Sequence, residues 1–201
     1  MSVKDYETRL YVKDNLSIGK SLVLKNDQSH YIRSVLRLKE NSQIALFNGE
    51  EGEWLSTIKI ISKKFVELEV IEQIKLQEVI SDIWLVFAPI KRTRIDYLAQ
   101  KATELGAGAL WPIFTKYTSV SRVNAERLRS NSIEAAEQSG RLTVPKILDP
   151  IDFDTLIEKW PHDRDLFCLD ETGKGAPILD AFRSSHQRAS GLLIGPEGGF
   201  A

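Results

Sequence analysis

The hydrophobic pattern of this chain changes once, near residues 73–81. Before that segment, short apolar runs predict strands at residues 9–12, 21–24, 43–47, 54–61 and 65–71. One helix interrupts them, with Asn26 or Asp27 as its expected cap, and Asn48-Gly49 is a strong hairpin signal. Short strands around one helix, within about seventy residues, predict a small β-barrel. Residues 1–75 are therefore expected to form one domain.

The second half of the chain, residues 76–201, alternates strands with helices. Strands are predicted at residues 83–88, 109–114, 165–169 and 192–194. Such alternation is typical of a mainly parallel sheet with helices on both faces. The expected fold class is thus α/β for this domain, preceded by the small barrel.

The helices of the second half have recognisable start signals. Thr93 and Asp96 form a capping-box pattern. An apolar stripe follows at helical spacing and ends at Gly106, with the members Ile95, Leu98, Ala99, Ala102 and Leu105. Asn124 is the expected cap of a helix over residues 125–138, whose buried face is small. Further helices are predicted at residues 153–160 and 177–185.

Composition excludes several classes of function. The 27 basic and 28 acidic residues give a net charge of -1, so attraction for nucleic acid must come from local clusters. No apolar run is long enough to span a bilayer, and the amino terminus has no signal core, which makes the cytoplasm the expected location. The single cysteine, Cys168, is expected to be a buried thiol, and neither metal-binding nor hydrolase motifs occur.

A glycine-rich segment, residues 195–199, follows the last apolar strand. Glycines there allow backbone to approach a ligand closely, since they have no side chain. The pentapeptide alone is equally compatible with a plain tight turn. A phosphate-binding nest is a third interpretation, although no lysine follows Gly199 as a P-loop requires. The carboxyl ends of parallel strands converge on one crevice, so residues 169–173 are expected to form a second wall.

Two local groups of basic residues stand out. Lys91, Arg92 and Arg94 open a helix, where cations oppose the helix dipole, so an anionic partner such as an RNA phosphate is favoured over a solvated turn. In the first half, a strand and a helix supply a possible basic face for an RNA backbone, made of Arg9, His30, Arg33 and Arg37.

Six segments together resemble the ribosomal RNA small subunit methyltransferase E family. In the second half they are Lys91-Arg-Thr-Arg94, Gln100-Lys-Ala-Thr-Glu-Leu-Gly106, Glu134-Ala-Ala-Glu-Gln-Ser-Gly-Arg141 with Val144-Pro145, and Ile194-Gly-Pro-Glu-Gly-Gly-Phe200. The first half adds His30-Tyr-Ile-Arg-Ser-Val-Leu-Arg-Leu38 and Phe47-Asn-Gly49. The resemblance runs from about Arg9 to the last residue, and its specificity comes from the order and spacing of all six.

The resemblance implies a PUA-like RNA-binding barrel, then a SPOUT methyltransferase domain whose carboxyl-terminal segment threads a trefoil knot. It also implies a homodimer that transfers methyl from S-adenosylmethionine to N3 of one uridine in 16S ribosomal RNA within the small ribosomal subunit, without a metal. Family members continue past the glycine segment, so either this sequence is part of a longer protein, or the 201-residue chain lacks part of the cofactor pocket and is expected to be inactive. The alternative is a noncatalytic RNA-binding protein with a degenerate methyltransferase-like domain.

The site residues expected on these grounds form three groups. The cofactor group is Leu169, Asp170, Glu171, Gly173, Ile194, Gly195, Pro196, Glu197, Gly198 and Gly199. Unranked candidates for stabilising the uridine anion are Arg9, Arg92, Arg94 and Arg141. The RNA-binding group is Arg9, His30, Arg33, Arg37, Lys91, Arg92, Arg94, Gln138 and Arg141.

Overall fold

The computed structural model describes residues 6–79, 82–169, 173–185 and 189–196, apart from the side chains of Arg92 and Thr93. Two compact units divide the chain, Met1–Val79 and Ile80–Ala201. The division lies within the segment where the hydrophobic pattern changes. Each unit has its own buried core.

The first unit is a curled five-stranded sheet. Its strands are β1 (Arg9–Tyr11), β2 (Ser21–Lys25), β3 (Gln43–Phe47), β4 (Glu53–Ile61) and β5 (Phe65–Lys75), in the order β1-β3-β4-β5-β2. Strand β1 runs parallel to β3, and the other pairs are antiparallel. Alternate residues of β2 and β5 point inward, as half-buried strands require, and pack with Ile32, Ile44 and Ile58. The PUA-like barrel expectation is confirmed.

The helix of the first unit starts differently from the prediction. Helix α1 (Asn26–His30) continues into a π-helical turn, Tyr31–Val35. Neither Asn26 nor Asp27 caps it, because β2 passes directly into the helix and Lys25 occupies the cap position without a side-chain bond. At the other end Arg37 has a φ of 56°, and Leu38 N–H donates to the Ile32 carbonyl at 3.0 Å, which closes the turn.

The second unit contains a parallel sheet. Its strands are β6 (Ile83–Phe87), β7 (Ala109–Phe114), β8 (Lys146–Ile147), β9 (Ile151–Asp152), β10 (Arg164–Leu169) and β11 (Ala189–Ile194). They lie in the order β10-β11-β6-β7-β8, and β9 pairs with the last residues of β7. The two-residue strands β8 and β9 were not predicted, since they are too short to show a period.

Among the described residues, four helices cover the sheet: α2 (Arg92–Glu104), α3 (Ala125–Ser139), α4 (Phe153–Lys159) and α5 (Ile178–Ser184). Side chains alternate along β6, so Val86 packs in the cluster that contains Leu156 of α4, while Phe87 packs with Ala99 of α2 and Leu128 of α3. On the edge strand β10, Phe167 packs on Phe182 of α5 with ring centroids 4.5 Å apart. The SPOUT-type α/β prediction is confirmed.

Asn124 caps α3 as predicted, because its side-chain oxygen accepts from the Arg127 N–H at 2.9 Å. The capping box at the start of α2 is wrong. Lys91 is the cap residue without a side-chain bond, and Asp96 instead accepts from Arg127 Nε at 2.7 Å and Asn131 Nδ2 at 2.7 Å.

Two expectations of burial are also wrong. Leu105 was assigned to the apolar stripe of α2 but is 81% exposed, because the helix ends at Glu104 and Gly106 turns the chain with a φ of 88°. Cys168 is exposed, since it lies towards the end of the edge strand β10, where the burial of the strand fades. None of the helices in the described part of the chain is both long and apolar enough to cross a membrane.

Candidate functional site

The carboxyl edge of the parallel sheet has the topology of a ligand-binding crevice. From β6 the chain passes to β7 on one side, whereas β11 lies on the other side of β6. Ligands of open α/β sheets bind where the strand order reverses in this way. The Ala88 N–H donates to the Ile194 carbonyl at 3.0 Å, so the ends of β6 and β11 are joined at this point.

Part of the predicted cofactor group meets at this edge. Leu169 and Ile194 are register partners at the ends of β10 and β11, and each is 40% exposed. Gly195 and Pro196 continue from Ile194, and Gly173, with a φ of 72°, follows β10. The other members, Asp170, Glu171, Glu197, Gly198 and Gly199, lie outside the described residues.

The arrangement suits a ligand that has an apolar ring and polar edges. Leu169 and Ile194 present half-exposed apolar side chains on two adjacent strand ends. Parallel strands leave their last backbone groups at the same edge, where a ligand can bond to them. Gly173 uses a backbone conformation that residues with side chains rarely adopt, which fits a tight turn beside the crevice.

The basic start of α2 lies at the same edge, because α2 follows the carboxyl end of β6. Lys91 and Arg94 are exposed, and neither forms an ion pair with any other residue the structure describes. The side chain of Arg92 lies outside the described part. The two cations face the positive end of the helix dipole, an arrangement that an anionic ligand stabilises.

A cavity of about 900 Å³ adjoins the start of α2. Residues 119–124, which link β7 to α3, line it together with Ile90 and Ile95. On its wall the Asp96 carboxylate binds Arg127 and raises the pKa of that guanidinium, chiefly through the hydrogen bond. This ion pair joins α2 to α3 beside the crevice.

Arg141 and Gln138 lie far from that edge within one chain. Arg141 Nε donates to the Glu104 carbonyl at 2.9 Å, and its guanidinium covers Gly106. Both contacts are at the end of α2, next to the amino-terminal edge of the sheet, where Gly108 N–H meets the Ile83 carbonyl. A helix of 13 residues is about 20 Å long, which separates Arg141 from Lys91.

The negative end of the α2 dipole explains why Arg141 lies there. Arg141 binds the carbonyl of Glu104, the last residue of the helix, where the dipole is negative. Nearby, Lys101 Nζ lies 2.7 Å from the Glu104 carboxylate, and this hydrogen bond raises the pKa of Lys101 and lowers the pKa of Glu104. Gln138 Nε2 donates to Glu134 Oε1 at 3.3 Å. Residues 134–141, one of the segments that carry the family resemblance, therefore stabilise the contact between the ends of α2 and α3.

Arg9 belongs to the interior of the first unit. It pairs with Glu53, which is completely buried, and its guanidinium lies 4.6 Å from the centre of the Phe47 ring. Lys75 reaches the same carboxylate at 2.9 Å. The guanidinium thus neutralises a buried charge in the barrel. Sequence reasoning missed this because Glu53 was placed before the predicted strand, whereas it pairs with Phe47 in the β3–β4 ladder.

The other three predicted RNA-binding residues of the first unit, His30, Arg33 and Arg37, lie on or beside its helix. His30 and Arg37 are exposed. Arg33 Nη1 donates to the Ser62 carbonyl at 3.2 Å and to the Lys63 carbonyl. Arg33 therefore joins the helix to the β4–β5 turn. This turn contains two lysines, Lys63 and Lys64, that the prediction left out. The sequence signal that could have found them is that the two lysines are adjacent.

The described residues contain no group of three His, Cys, Asp or Glu side chains that is arranged to hold a metal ion. The groups described above at the crevice are the apolar side chains of Leu169 and Ile194, the backbone after β11, and the cations Lys91 and Arg94. They are suited to binding and orienting a ligand with a delocalised or anionic part.

Comparisons with known proteins agree with this geometry. The family model described as RNA methyltransferase PUA domain matches residues 24–71, and the model described as RNA methyltransferase domain matches residues 77–201. The Ribosomal RNA small subunit methyltransferase E of Rickettsia conorii is 34% identical over 193 residues, which cover 96% of this chain and 79% of that protein. The protein of the same name from Bacillus subtilis is 30% identical and is covered to 78%, with 93% of this chain.

A solved structure shares both units. The crystal structure of a Ribosomal RNA small subunit methyltransferase E from Neisseria gonorrhoeae, bound to S-adenosyl methionine, matches 98% of this chain and 82% of its own, with a TM-score of 0.86 and 27% identity. Order of elements, family models and relatives all agree. The chain therefore belongs to the ribosomal RNA small subunit methyltransferase E family.

Proposed function

We propose that this protein transfers a methyl group from S-adenosylmethionine to N3 of one uridine in the 16S ribosomal RNA of the small ribosomal subunit. The observation that carries the proposal is the carboxyl edge of the sheet, where half-exposed Leu169 and Ile194 adjoin the basic start of α2. Family membership and the cofactor bound by the Neisseria gonorrhoeae relative support it.

The cofactor is held by residues of both strand ends. Leu169 and Ile194 form apolar walls for the adenosine part, and backbone of Gly195 and Pro196 bonds to its polar edges. The predicted members Asp170, Glu171, Gly173, Glu197, Gly198 and Gly199 complete this group as part of the proposal. When bound, S-adenosylmethionine supplies an electrophilic methyl group on its sulfonium and leaves as S-adenosylhomocysteine.

The residues of this chain align the uridine and stabilise its charge. Loss of the N3 proton to solvent or a base spreads negative charge over O2 and O4, and an arginine at that place lowers the barrier. Among the four candidates, Arg94 fits best, because it is exposed at the cofactor edge without an ion-pair partner in the described part of the chain. Arg9 and Arg141 are held elsewhere by Glu53 and Glu104, and Arg92 remains a candidate.

The RNA must present an accessible N3. In a paired stem N3 lies inside the base pair, so we infer that the target uridine is unpaired or flipped within the folded subunit. Lys91, Arg92 and Arg94 contact phosphates beside it, and His30, Arg33 and Arg37 contribute from the first unit. Gln138 and Arg141 face RNA only if a second chain brings the amino-terminal edge of its sheet to the substrate.

A homodimer and a cytoplasmic location complete the proposal. Ile178 and Leu179 on α5 are 39% and 66% exposed, so apolar surface on this helix remains to be covered. A substrate in the small ribosomal subunit places the enzyme in the cytoplasm. A dimer mass by light scattering at micromolar concentration is the expected result, and a monomer contradicts this part.

Titration calorimetry with S-adenosylmethionine tests the function. We expect the full-length protein to release heat with a single saturable site, and Gly198→Val to lose it, because a branched side chain blocks close approach of the loop backbone. Gly198→Ala is the graded control, with an intermediate loss. Melting curves of both variants separate loss of the site from loss of the fold. A parent protein that gives no heat contradicts the proposal.

The noncatalytic alternative predicts a different pair of results. An RNA-binding protein with a degenerate methyltransferase-like domain binds small subunits but neither binds the cofactor nor transfers tritium from methyl-labelled S-adenosylmethionine to 16S RNA. Family membership favours the enzyme.

A further inference from the structure

We propose that the turn between β4 and β5 is a binding site for RNA phosphates, formed by Lys63 and Lys64 and positioned by Arg33. The proposal rests on the RNA substrate argued above, and it assigns a surface of the first unit that the sequence prediction omitted. Its evidence is the way in which the turn is held.

The turn is fixed by its own backbone and by Ser62. The Ser62 N–H donates to the Phe65 carbonyl at 2.9 Å, and the Ser62 hydroxyl donates to the same carbonyl at 3.0 Å. The hydroxyl oxygen accepts from the N–H groups of Lys64 at 3.2 Å and Phe65 at 3.0 Å. Held by these bonds, the turn presents Lys63 and Lys64 as exposed side chains on a defined frame.

Arg33 is used in an unusual way for a surface arginine. Its Nη1 binds the Ser62 and Lys63 carbonyls and no carboxylate among the described residues. The positive charge of the guanidinium is therefore placed beside two lysines and is not neutralised there. Arg33 both holds the turn to the helix and adds to its charge.

A fourth cation adjoins the turn from the neighbouring strand. Lys25 ends β2 and is the register partner of Phe65, next to Lys64. In the structure's described ranges, no ion pair engages Lys25, Lys63 or Lys64, although Lys59 farther along β4 pairs with Glu69 at 2.6 Å. The nearby Glu40 accepts from the Ile61 N–H instead.

Lys25, Arg33, Lys63 and Lys64 thus place four positive charges on or beside one turn, and an anion bound there is attracted by all of them. A polyanion with regularly spaced charges fits a row of lysines on a turn, and RNA phosphates are such charges. Lysines at hairpin tips also occur simply for solubility. The two roles differ in one measurable quantity, the dependence of RNA affinity on salt.

The test compares two double variants that remove the same charge. Lys63→Gln/Lys64→Gln acts on the turn, and Lys13→Gln/Lys59→Gln removes an exposed loop lysine and a paired strand lysine from the same unit. Binding of each protein is measured by fluorescence anisotropy with a labelled 20-base-pair RNA duplex, and by filter binding with small ribosomal subunits, at several salt concentrations.

We expect Lys63→Gln/Lys64→Gln to make the negative slope of log affinity against log salt shallower by about 1.5 and to reduce RNA affinity about tenfold. Each phosphate contact contributes about 0.7–0.9 to the magnitude of this slope. The control variant is expected to change the slope by less than about 0.5 on the same scale. Equal slopes for the two variants overturn the proposal. A loss of subunit binding without any loss of duplex binding also overturns it, since the turn then contacts a ribosomal protein.

Arg33→Lys separates positioning from charge. Lysine keeps the charge but cannot hold the turn in the same planar fashion, so we expect its duplex affinity to fall almost as far as that of Arg33→Gln. If Arg33→Lys binds like the parent, Arg33 acts only as a charge and its positioning role is wrong. Cofactor calorimetry of all these variants is expected to match the parent. A parent protein without cofactor heat but with a salt slope that depends on the turn overturns the proposed function and leaves this site standing.

Discussion

The two edges of the parallel sheet differ in how completely their side chains are buried and paired. At the amino-terminal edge, Trp84, Trp111 and Trp160 pack on one another with ring centroids 5.8–6.1 Å apart. Buried Arg164 lies 3.9 Å from the centre of the Trp84 ring and binds Asp82 and the Ser190 carbonyl. At the carboxyl edge, the apolar side chains of Leu169 and Ile194 remain half exposed, and Lys91 and Arg94 form no ion pair with any residue in the described part of the chain.

The difference teaches that stability and ligand binding occupy opposite ends of the same strands. A close-packed edge gains little from a ligand, whereas an edge with exposed apolar and charged groups gains from one. Gly191 shows how tightly the first edge is packed, since a Cβ there would lie 2.3 Å from Trp160 Cη2. Substitutions at the two ends should therefore have separable effects.

Trp160→Ala should have the largest effect on stability. The indole stacks on Trp111, and its Nε1 donates to the Arg164 carbonyl at 2.7 Å, so truncation removes packing and a hydrogen bond. We expect a loss of about 3–5 kcal/mol in the free energy of unfolding. Urea unfolding followed by tryptophan fluorescence measures it in a Trp54→Phe background, where every remaining tryptophan belongs to the second unit.

Ile194→Ala is the counterpart at the other edge. Because Ile194 is 40% exposed, we expect a loss of less than about 1 kcal/mol, together with weaker cofactor binding. Trp160→Ala should leave the cofactor affinity of the folded protein unchanged. If both variants weaken the cofactor equally, the two edges are not independent.

Arg164→Gln should have the next largest effect. The guanidinium donates to the Asp82 carbonyl at 2.8 Å and to the Asp82 carboxylate at 2.5 Å, and glutamine cannot replace both bonds or the contact with Trp84. We expect a loss of about 2–3 kcal/mol in the same unfolding measurement. Arg183→Gln is the matched control, since Arg183 and Asp180 form an exposed pair worth less than about 1 kcal/mol. Equal losses for the two variants would contradict the central role of the buried arginine.

The fold could be predicted from periodicity because both cores follow it. Alternation along β2 and β5, and the Asn124 cap of α3, depend on residues close in sequence. The predicted caps at Asn26 and Thr93 are wrong because contacts outside each helix determine where it starts and what it binds. Strand β2 runs directly into α1, and Asp96 binds Arg127 of another helix. Local signals cannot reveal such competition.

The site was predictable only in part for the same reason. Strand order brings Leu169 beside Ile194, and the rule that carboxyl ends converge anticipated this. Arg9 and Arg141 were judged by residue type, although a buried carboxylate and a helix end 37 residues away in sequence hold them. A basic residue is equally able to bind RNA or to satisfy a buried group, and only the fold shows which partner it has.

The smallest predicted effect concerns a carboxylate at the carboxyl edge that serves stability. Asp152 caps α4, and the Thr155 N–H and hydroxyl both donate to its carboxylate at 2.8 Å. The backbone bond first, and then the hydroxyl bond, lower the pKa of Asp152 below its usual value. A lowered pKa in the folded state means that this stabilisation is complete above the usual pKa and is lost as pH falls through the lowered value.

Asp152→Asn keeps a cap oxygen but cannot titrate, so it isolates the effect of the charge. We expect the parent to have the higher urea midpoint at about pH 6, with the difference narrowing as the pH falls below about 3.9, the ordinary pKa of an aspartate. Other carboxylates titrate in both proteins and cancel in the comparison. A difference in urea midpoint that stays constant across this pH range contradicts the assignment. If the difference narrows, and the two proteins bind the cofactor equally at about pH 6, the carboxyl edge also contains groups that serve the fold alone.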